Sequence, residues 1–479
     1  MVALRFLSIS VLTALFKTTL FLVFWFPAPV VVQAETYVYL QNDTPEPLTL
    51  EVSVNGGLSK GRHWNQTVVR LEPWQKSTPY LWFNRDEGIT WRRTFYFETR
   101  VFQSGRLIAT LHQKLRGNWI GSSLSHTADG LGWHGDRAVH QSQSSSGILT
   151  SFKSAYTGWY DDLVYVVHQQ NVYDDLRGLA GSVDELSLLA YNLQLLPTSI
   201  SNTDQRLRAR HVAEALAGFD VIVFSEAFAD DVRGFDEQGD LSDGNSLWQL
   251  VRALYPYRTD IVGKDEGLEQ DGGVFIVSRW PIITWNDLVY DESVCAASDC
   301  LSEKGVMYAA VEKQVGSQSR VYHVFGSHLQ ADYDNDNNSH VRRSQFDEMR
   351  RFIDQQAIAD DEPVILAGDF NVDRDTGEYA DMLNRLEAND YETENHGVAY
   401  SLDGRTNSFA AGATPQLLDY VLVDKLGPQP SYGETAVLVL RSSAPAMMAT
   451  SEGQRRQDMD VMGNYSDHYP VFAYFDFSN

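Results

Sequence analysis

The chain has 479 residues, 43% of them hydrophobic and 12% aromatic, and a formal net charge of −26. Such a length and composition argue against disorder and against one small core, and point to two domains. The charge repels polyanions at long range and no run of Lys and Arg offsets it; nucleic acid is therefore not an expected partner, although a bound cation can reverse a local field.

Residues 1–34 read as an export signal that is cleaved. Arg5 and Lys17 precede the apolar stretch 20–32, and Val32-Gln33-Ala34 has the form of a small-residue cleavage site. The alternative is a membrane anchor, but the run is shorter than the roughly 20 residues of a spanning helix and Pro27 and Pro29 interrupt it. Without Arg5 and Lys17 the remaining chain carries −28, and it is expected in the periplasm or outside the cell.

From 36 to 177 short alternating segments (48–54, 94–102 and 106–111) are separated by Asn-Gly-Gly and Ser-Gly punctuation. This predicts an all-β, sandwich-like domain, whose role the residues do not reveal. Trp64, Trp74, Trp82 and Trp91 are expected to fill its core, with a ligand or membrane platform as the alternative. A soft linker over 174–182 leads into a second domain, 183–479. There apolar strands (186–193, 221–225, 273–278, 306–311, 321–326, 363–368, 418–423 and 471–477) alternate with helices. Thr203 or Asp204 can cap a helix over 204–217 that Gly218 ends, and a helix over 339–358 sets Phe346, Met349, Phe352 and Ile353 on one side. The pattern is α/β with a buried sheet of mixed pairing.

The chemistry concentrates where apolar strands end. In Val364-Ile365-Leu366-Ala367-Gly368-Asp369-Phe370-Asn371 a buried strand runs into a glycine and then into polar groups. Asp369 and Asn371, two apart in extended chain, share a face and suit a site that holds a hard cation and bonds a phosphoryl oxygen. A plain Asp/Asn turn reads equally well. The recurrence of the pattern argues against the turn. Asn192 ends LLAYN, Glu226 follows DVIVFS, His328 follows VYHVFGS, Asp419 stands in QLLDYVLV, and Asp467-His468 precede the last strand. Buried carboxylates of this kind need a partner or a metal. His323 and His211 are expected to be satisfied structural side chains, and the run 332–336 a solvated loop or a weak second cation site. The two cysteines, Cys295 and Cys300, are expected to close one small disulfide loop in an oxidising compartment, the alternative being two free thiols.

In this order the segments resemble the endonuclease/exonuclease/phosphatase superfamily typified by deoxyribonuclease I, over about 186–477. More narrowly they resemble the bacterial neutral sphingomyelinases: Phe228 after Glu226-Ala227, His328-Leu329-Gln330-Ala331, the 271–282 segment, and Asp299 five residues before Lys304. The resemblance implies a four-layer α/β sandwich, two mixed sheets flanked by helices. It implies a divalent cation, Mg²⁺ with Mn²⁺ as alternative, held by Glu226 with Asn192 and Asp467. His468 would be the general base and Asp419 would fix its tautomer. Asp369 and Asn371 would position water and phosphoryl oxygens, and His328 would stabilise developing charge. Lys304 would bind a phosphate oxygen under the control of Asp299, an exposed loop lysine being the other reading.

The implied reaction is hydrolysis of sphingomyelin to ceramide and phosphocholine by in-line attack of water, by a monomer bound peripherally to a sphingomyelin-containing membrane. Alternatives are a nuclease or phosphoinositide phosphatase of the same superfamily, or a lipid-binding module whose catalytic half has decayed. One departure stands out. Relatives can carry an exposed aromatic hairpin before the final Asp-His, whereas here 441–463 has Met447 and Met448 but no Trp or Phe; the N-terminal domain is then the alternative membrane contact.

Overall fold

The computed structural model describes residues 34–478 except 76–77, 144–146, 157–159, 171, 178–179, 202, 237, 242–243, 265–269, 292–294, 333–336, 392–397, 444–447, 450–458 and 461–462. The predicted signal, Met447 and most of the 332–336 run thus lie outside the described residues.

Residues 35–169 form two packed sheets. Thr94–Gln103 shows why: every second side chain (Phe95, Phe97, Thr99, Val101) is buried, the period of a half-buried strand. It lies in a five-stranded sheet ordered Arg70–Leu71, Leu48–Asn55, Thr94–Gln103, Arg106–Gly117, Ser122–Ala128. The facing six-stranded sheet runs Trp64–Gln66, Leu81–Asn84, Glu35–Asp43, Asp161–Gln169, Ile148–Tyr156, His140–Gln143. Phe83 of one sheet stacks on Phe97 of the other with centroids 4.5 Å apart.

The tryptophans do not all fill this core. Trp64 does, Trp82 is half-buried, and Trp91 is 60% exposed. Trp74 is buried, but among the apolar side chains of the second half of the chain. The linker also carries one helical turn, Asp174–Arg177.

Beyond it stand two six-stranded mixed sheets. The first is ordered Tyr257–Arg258, Phe275–Ser278, Val221–Ser225, Glu185–Asn192, Val471–Asp476, Tyr432–Val437. The second is ordered Ile282–Val289, Gly305–Val315, Gln318–His328, Val364–Asp369, Asp419–Asp424, Ala388–Asp390. Each holds one parallel pair, Glu185–Asn192 with Val221–Ser225 and Gln318–His328 with Val364–Asp369; the other pairings are antiparallel. Strand alternation divides the core. Leu186, Leu188 and Ala190 join the cluster between the sheets, while Leu189 and Tyr191 join the outer one with Ala209, Val212 and Ala213 of helix Gln205–Ala215. Helix Ser339–Gln355 covers the second sheet with Phe346, Met349, Phe352 and Ile353, as its spacing predicts.

The start of helix Gln205–Ala215 differs from expectation. Asp204 sits at the N-cap in left-handed backbone (φ 54°) and makes no side-chain capping bond. Buried Arg208 reaches back instead and donates to the Thr203 carbonyl (3.0 Å) and hydroxyl (2.9 Å).

A buried arginine ties the sandwich to the two-sheet half. Arg441 donates to the Trp74 carbonyl at 3.1 Å and lies 3.5 Å from the Asp43 carboxylate, both sandwich residues. It also bonds Asn464 at 2.6 Å and the hydroxyl of Tyr469. Arg441 and Asp43 are each almost fully buried; His168 lies 2.5 Å from Asp43 Oδ2, while Asp43 Oδ1 faces Arg441 with no hydrogen-bond partner among the described residues.

Candidate active site

Three neighbouring strands of the second sheet end level with one another, and their last row is polar. His328 stands opposite Asp369, and Asp369 opposite Asp419, in register. Opposed residues of a ladder project to the same face, so the three side chains are set side by side. In the first sheet Asn192 pairs with Ser225, and Glu226 is the next residue. Asn192 shares the face of Leu186, Leu188 and Ala190, which brings it against the second sheet.

Backbone geometry at these ends is specialised. Gly368 has φ 136°, and a Cβ there would lie 2.0 Å from the Ser327 carbonyl oxygen, so only glycine lets the two strands close. Gln194, Glu226 and Asn371 have φ of 49°, 51° and 51°, left-handed backbone that costs a non-glycine residue on the order of 1 kcal/mol. Each turn is held: Leu195 N–H donates to the Glu226 carbonyl (2.8 Å), and Asn371 N–H to Asp369 Oδ1 (3.0 Å).

The carboxylates meet between the sheets. Asn192 Nδ2 donates to Glu226 Oε1 at 2.8 Å and to Asp369 Oδ2 at 2.9 Å. Its Oδ1 accepts Gln194 N–H at 3.0 Å, which fixes the orientation of the amide. Gln194 Nε2 in turn donates to Asp467 Oδ2 at 2.8 Å. Burial, and after it the charge of Asp467, pushes the Glu226 carboxyl up to about 7, against relief from Asn192 and His468. A buried carboxyl that resists ionisation, as Glu226 does, is one that a cation completes. The donors are mainly hard oxygens, with His328 beside Glu226 and Asp369 in a group whose ligand atoms lie within 4.8 Å of one another. The donor set therefore fits a divalent cation.

The histidines differ sharply. His468 Nδ1 is 2.7 Å from Asp419 Oδ2 and 3.9 Å from Asp369 Oδ2. Burial alone would lower its pKa, but Asp419 and then Asp369 outweigh burial and hold it well above the ordinary value. His328 is pushed down to about 3, first by burial and then by the neighbouring Lys304 ammonium. Lys304 Nζ lies 3.0 Å from His328 Nε2. An ammonium has no lone pair, so Nε2 is the acceptor and the imidazole proton sits on Nδ1. That Nδ1 is buried and has no hydrogen-bond partner among the described residues.

Lys304 is not an exposed loop lysine. It is 6% exposed, 3.0 Å from Asp299 Oδ2, and donates to the Leu329 carbonyl at 2.8 Å. Asp299 lies in the loop closed by the Cys295–Cys300 disulfide, whose Cα atoms are 5.3 Å apart. The loop is pinned to the residues after His328: Ala331 N–H donates to Asp299 Oδ2 and Ala296 N–H to Gln330 Oε1, both at 2.9 Å. Glu226, His328, Asp369, Asn371, Asp467 and His468 open into a cleft of about 910 Å³, whose wall includes Ile200 and Leu301, 61% and 56% exposed.

All the residues singled out from the strand ends therefore converge, and Asp419 backs His468 from behind the cleft. Asn371 Nδ2 is engaged by the Leu329 carbonyl at 3.0 Å. His323 is structural, bonded to Tyr308 and Glu362 at 2.8 Å each. Asp332 is exposed, as expected of a solvated loop, and also pairs with Arg342 at 2.8 Å. Two supporting residues escaped the sequence reading. Gln194 joins the Asn192 and Asp467 ends; its only signal is the Asn-Leu-Gln spacing at the strand end. Asn407 donates to the carbonyls of Ser466 (2.8 Å) and Asp467 (3.1 Å), and no local pattern marks it.

Known proteins resemble this chain in sequence and fold. The Endonuclease/Exonuclease/phosphatase family matches residues 189–468. Sphingomyelinase C 2 of Leptospira interrogans is 31% identical over 317 residues, covering 60% of this chain and 46% of its own. Sphingomyelinase C of Bacillus cereus is 31% identical over 317 residues, covering 60% of this chain and 88% of its own. A crystal structure of beta toxin from Staphylococcus aureus with bound magnesium ions superposes with a TM-score of 0.52 at 28% identity, over 61% of this chain and 99% of that one. The chain spans about half the length of the Leptospira relatives it matches. With more than half of its length matched by the family and the bacterial sphingomyelinases as its relatives, the chain belongs to the endonuclease/exonuclease/phosphatase family.

Proposed function

We propose that the chain is an exported, metal-dependent phosphodiesterase that hydrolyses sphingomyelin to ceramide and phosphocholine at a membrane surface. The observation that carries this reading is the His468–Asp419 pair at 2.7 Å, facing the Glu226–Asp369 carboxylates across one cleft. The sphingomyelinase relatives and the exposed Ile200 and Leu301 at the cleft support a lipid substrate. The charge of −26 weighs against a nucleic acid.

Asp419 accepts the Nδ1 proton of His468 and so leaves Nε2 as the basic nitrogen. Above its raised pKa, where the imidazole is neutral, His468 takes the proton of the attacking water. Glu226, with Asp467, would hold a divalent cation, Mg²⁺ with Mn²⁺ as alternative, which would neutralise phosphoryl charge when bound; Asn192, which here points its Nδ2 at Glu226 and Asp369, would have to turn its Oδ1 away from Gln194 N–H to join them. Asp369 and Asn371 orient the water and the phosphoryl group. His328, which lines the cleft, and Lys304, packed behind it, meet the charge that develops on phosphate and leaving oxygen.

The test offers the chain sphingomyelin vesicles and plasmid DNA in parallel, with Mg²⁺ and then with EDTA. Phosphocholine release that stops in EDTA and returns with Mg²⁺ is expected. Nicking of the DNA without phosphocholine release would overturn the substrate assignment, and release unaffected by EDTA the metal requirement.

A further inference from the structure

The hairpin that joins strands Arg106–Gly117 and Ser122–Ala128 ends in Asn118-Trp119-Ile120-Gly121, closed by Asn118 N–H to the Gly121 carbonyl at 3.0 Å. Trp119 is 89% exposed and Ile120 91%, the two highest values among the exposed large apolar side chains. Isolated exposed apolar residues are ordinary, but two adjacent ones at a tip, joined by a third, are not. Trp91 is that third, 60% exposed. Its segment is tied to the hairpin base, because Arg92 N–H donates to the Gly117 carbonyl and Gly117 N–H to the Arg93 carbonyl, both at 3.0 Å. Arg92 also stacks on Trp91 at 4.2 Å.

We infer that this tip is the membrane-contacting element of the chain, wedging Trp119 and Ile120 into the headgroup region of a phospholipid bilayer. Charge complementarity selects this occupant. Arg92, Arg93 and Arg116 are exposed around the tip in a chain whose net charge is −26, a local cationic collar suited to lipid phosphates. Tryptophan with a flanking aliphatic residue and arginines is the composition of a membrane–water interface. The exposed pair sits in the turn beyond the last strand pair of the hairpin, Gly117 with Ser122. The inference rests on the proposed action at a lipid surface, and it assigns to the sandwich the contact that no aromatic residue in 441–463 can make.

The experiment sediments the full chain with equimolar sphingomyelin–phosphatidylcholine vesicles in EDTA, so that lipid is not consumed. It compares wild type, Trp119→Ala with Ile120→Ala, and Trp119→Phe. The paired substitution is expected to weaken vesicle binding at least tenfold, and Trp119→Phe by less than threefold. Turnover of detergent-dispersed sphingomyelin in Mg²⁺ is expected to stay within twofold of wild type, which also reports an intact fold. Equal vesicle binding by wild type and the paired variant overturns the inference, as does failure of the wild type to bind. Vesicle binding that depends on the tip, with no phosphocholine released by any of the three proteins, would count against the proposed reaction and leave the tip assignment standing.

Discussion

Replacing Asp419 by Asn isolates the role of the carboxylate behind His468 with almost no change in shape. Asp419 Oδ2 accepts from His468 Nδ1 at 2.7 Å, and Oδ1 is buried with no hydrogen-bond partner among the described residues. An amide can keep one contact by turning its carbonyl oxygen to Nδ1–H, but its NH₂ then occupies the unpartnered position. An unmet buried donor costs about 1–3 kcal/mol, offset in part because a buried charge has been removed. Stability should therefore shift by no more than about 2 kcal/mol. Catalysis should suffer far more. The charge-assisted bond that steadies the imidazolium is worth about 1.5–3 kcal/mol, or roughly 10–10² in rate. Release of His468 into the wrong tautomer adds to this, up to about 10⁴ in total when an orienting carboxylate is lost. Asp419 does not line the cleft, so the loss should fall on kcat with KM nearly unchanged. The assay is phosphocholine release from detergent-dispersed sphingomyelin, with thermal unfolding followed on the same samples. A kcat reduced less than tenfold in a folded variant would refute the argument that Asp419 orients the base.

Gly368→Ala should cost at least about 3 kcal/mol in urea unfolding, since it combines a glycine-only φ of 136° with a Cβ 2.0 Å from the Ser327 carbonyl; a loss below 1 kcal/mol would show that the strands can part freely. The sandwich should have a steep acid limb. Burial, then His140 and His134, push His126 down to about 3. Between pH 6.5 and 3 the unfolded state therefore binds the extra proton, and the stability present above 6.5 is lost as pH falls. The unfolding free-energy difference between wild type and His126→Gln should be about 3 kcal/mol less favourable to wild type at pH 4 than at pH 7. A gap constant across that range would contradict the assignment.

The site was legible because strand chemistry makes it so. An apolar run can stop at a carboxylate or imidazole only where something receives that group, and Asn192, Glu226, His328, Asp369, Asp419 and His468 all obey this rule. What the sequence withheld is register. Nothing in the spacing of His328, Asp369 and Asp419 says that three strands end in one row; the pairing of Ser327 with Gly368 decides it. Long-range packing was equally hidden. Trp74 and Trp91 occur in similar local contexts, yet one is buried across the junction with the two-sheet half and the other stands in solvent. The family resemblance set Lys304 under the control of Asp299, whereas its burial depends on the Leu329 carbonyl and His328, which arrive from another strand.

Arg441 gives the sandwich and the reaction centre a shared fate. Its guanidinium touches Asp43 and the Trp74 carbonyl on one side and Tyr469 on the other, and Tyr469 immediately follows His468. A buried cation deprived of its carboxylate costs about 3–5 kcal/mol, and losing Trp74 would strip a large side chain from the apolar cluster between the sheets. Excision of the sandwich would thus disturb the segment that holds the base, quite apart from any lipid contact it removes. The sandwich is coupled to the reaction centre through Arg441 rather than joined to it as an independent cassette.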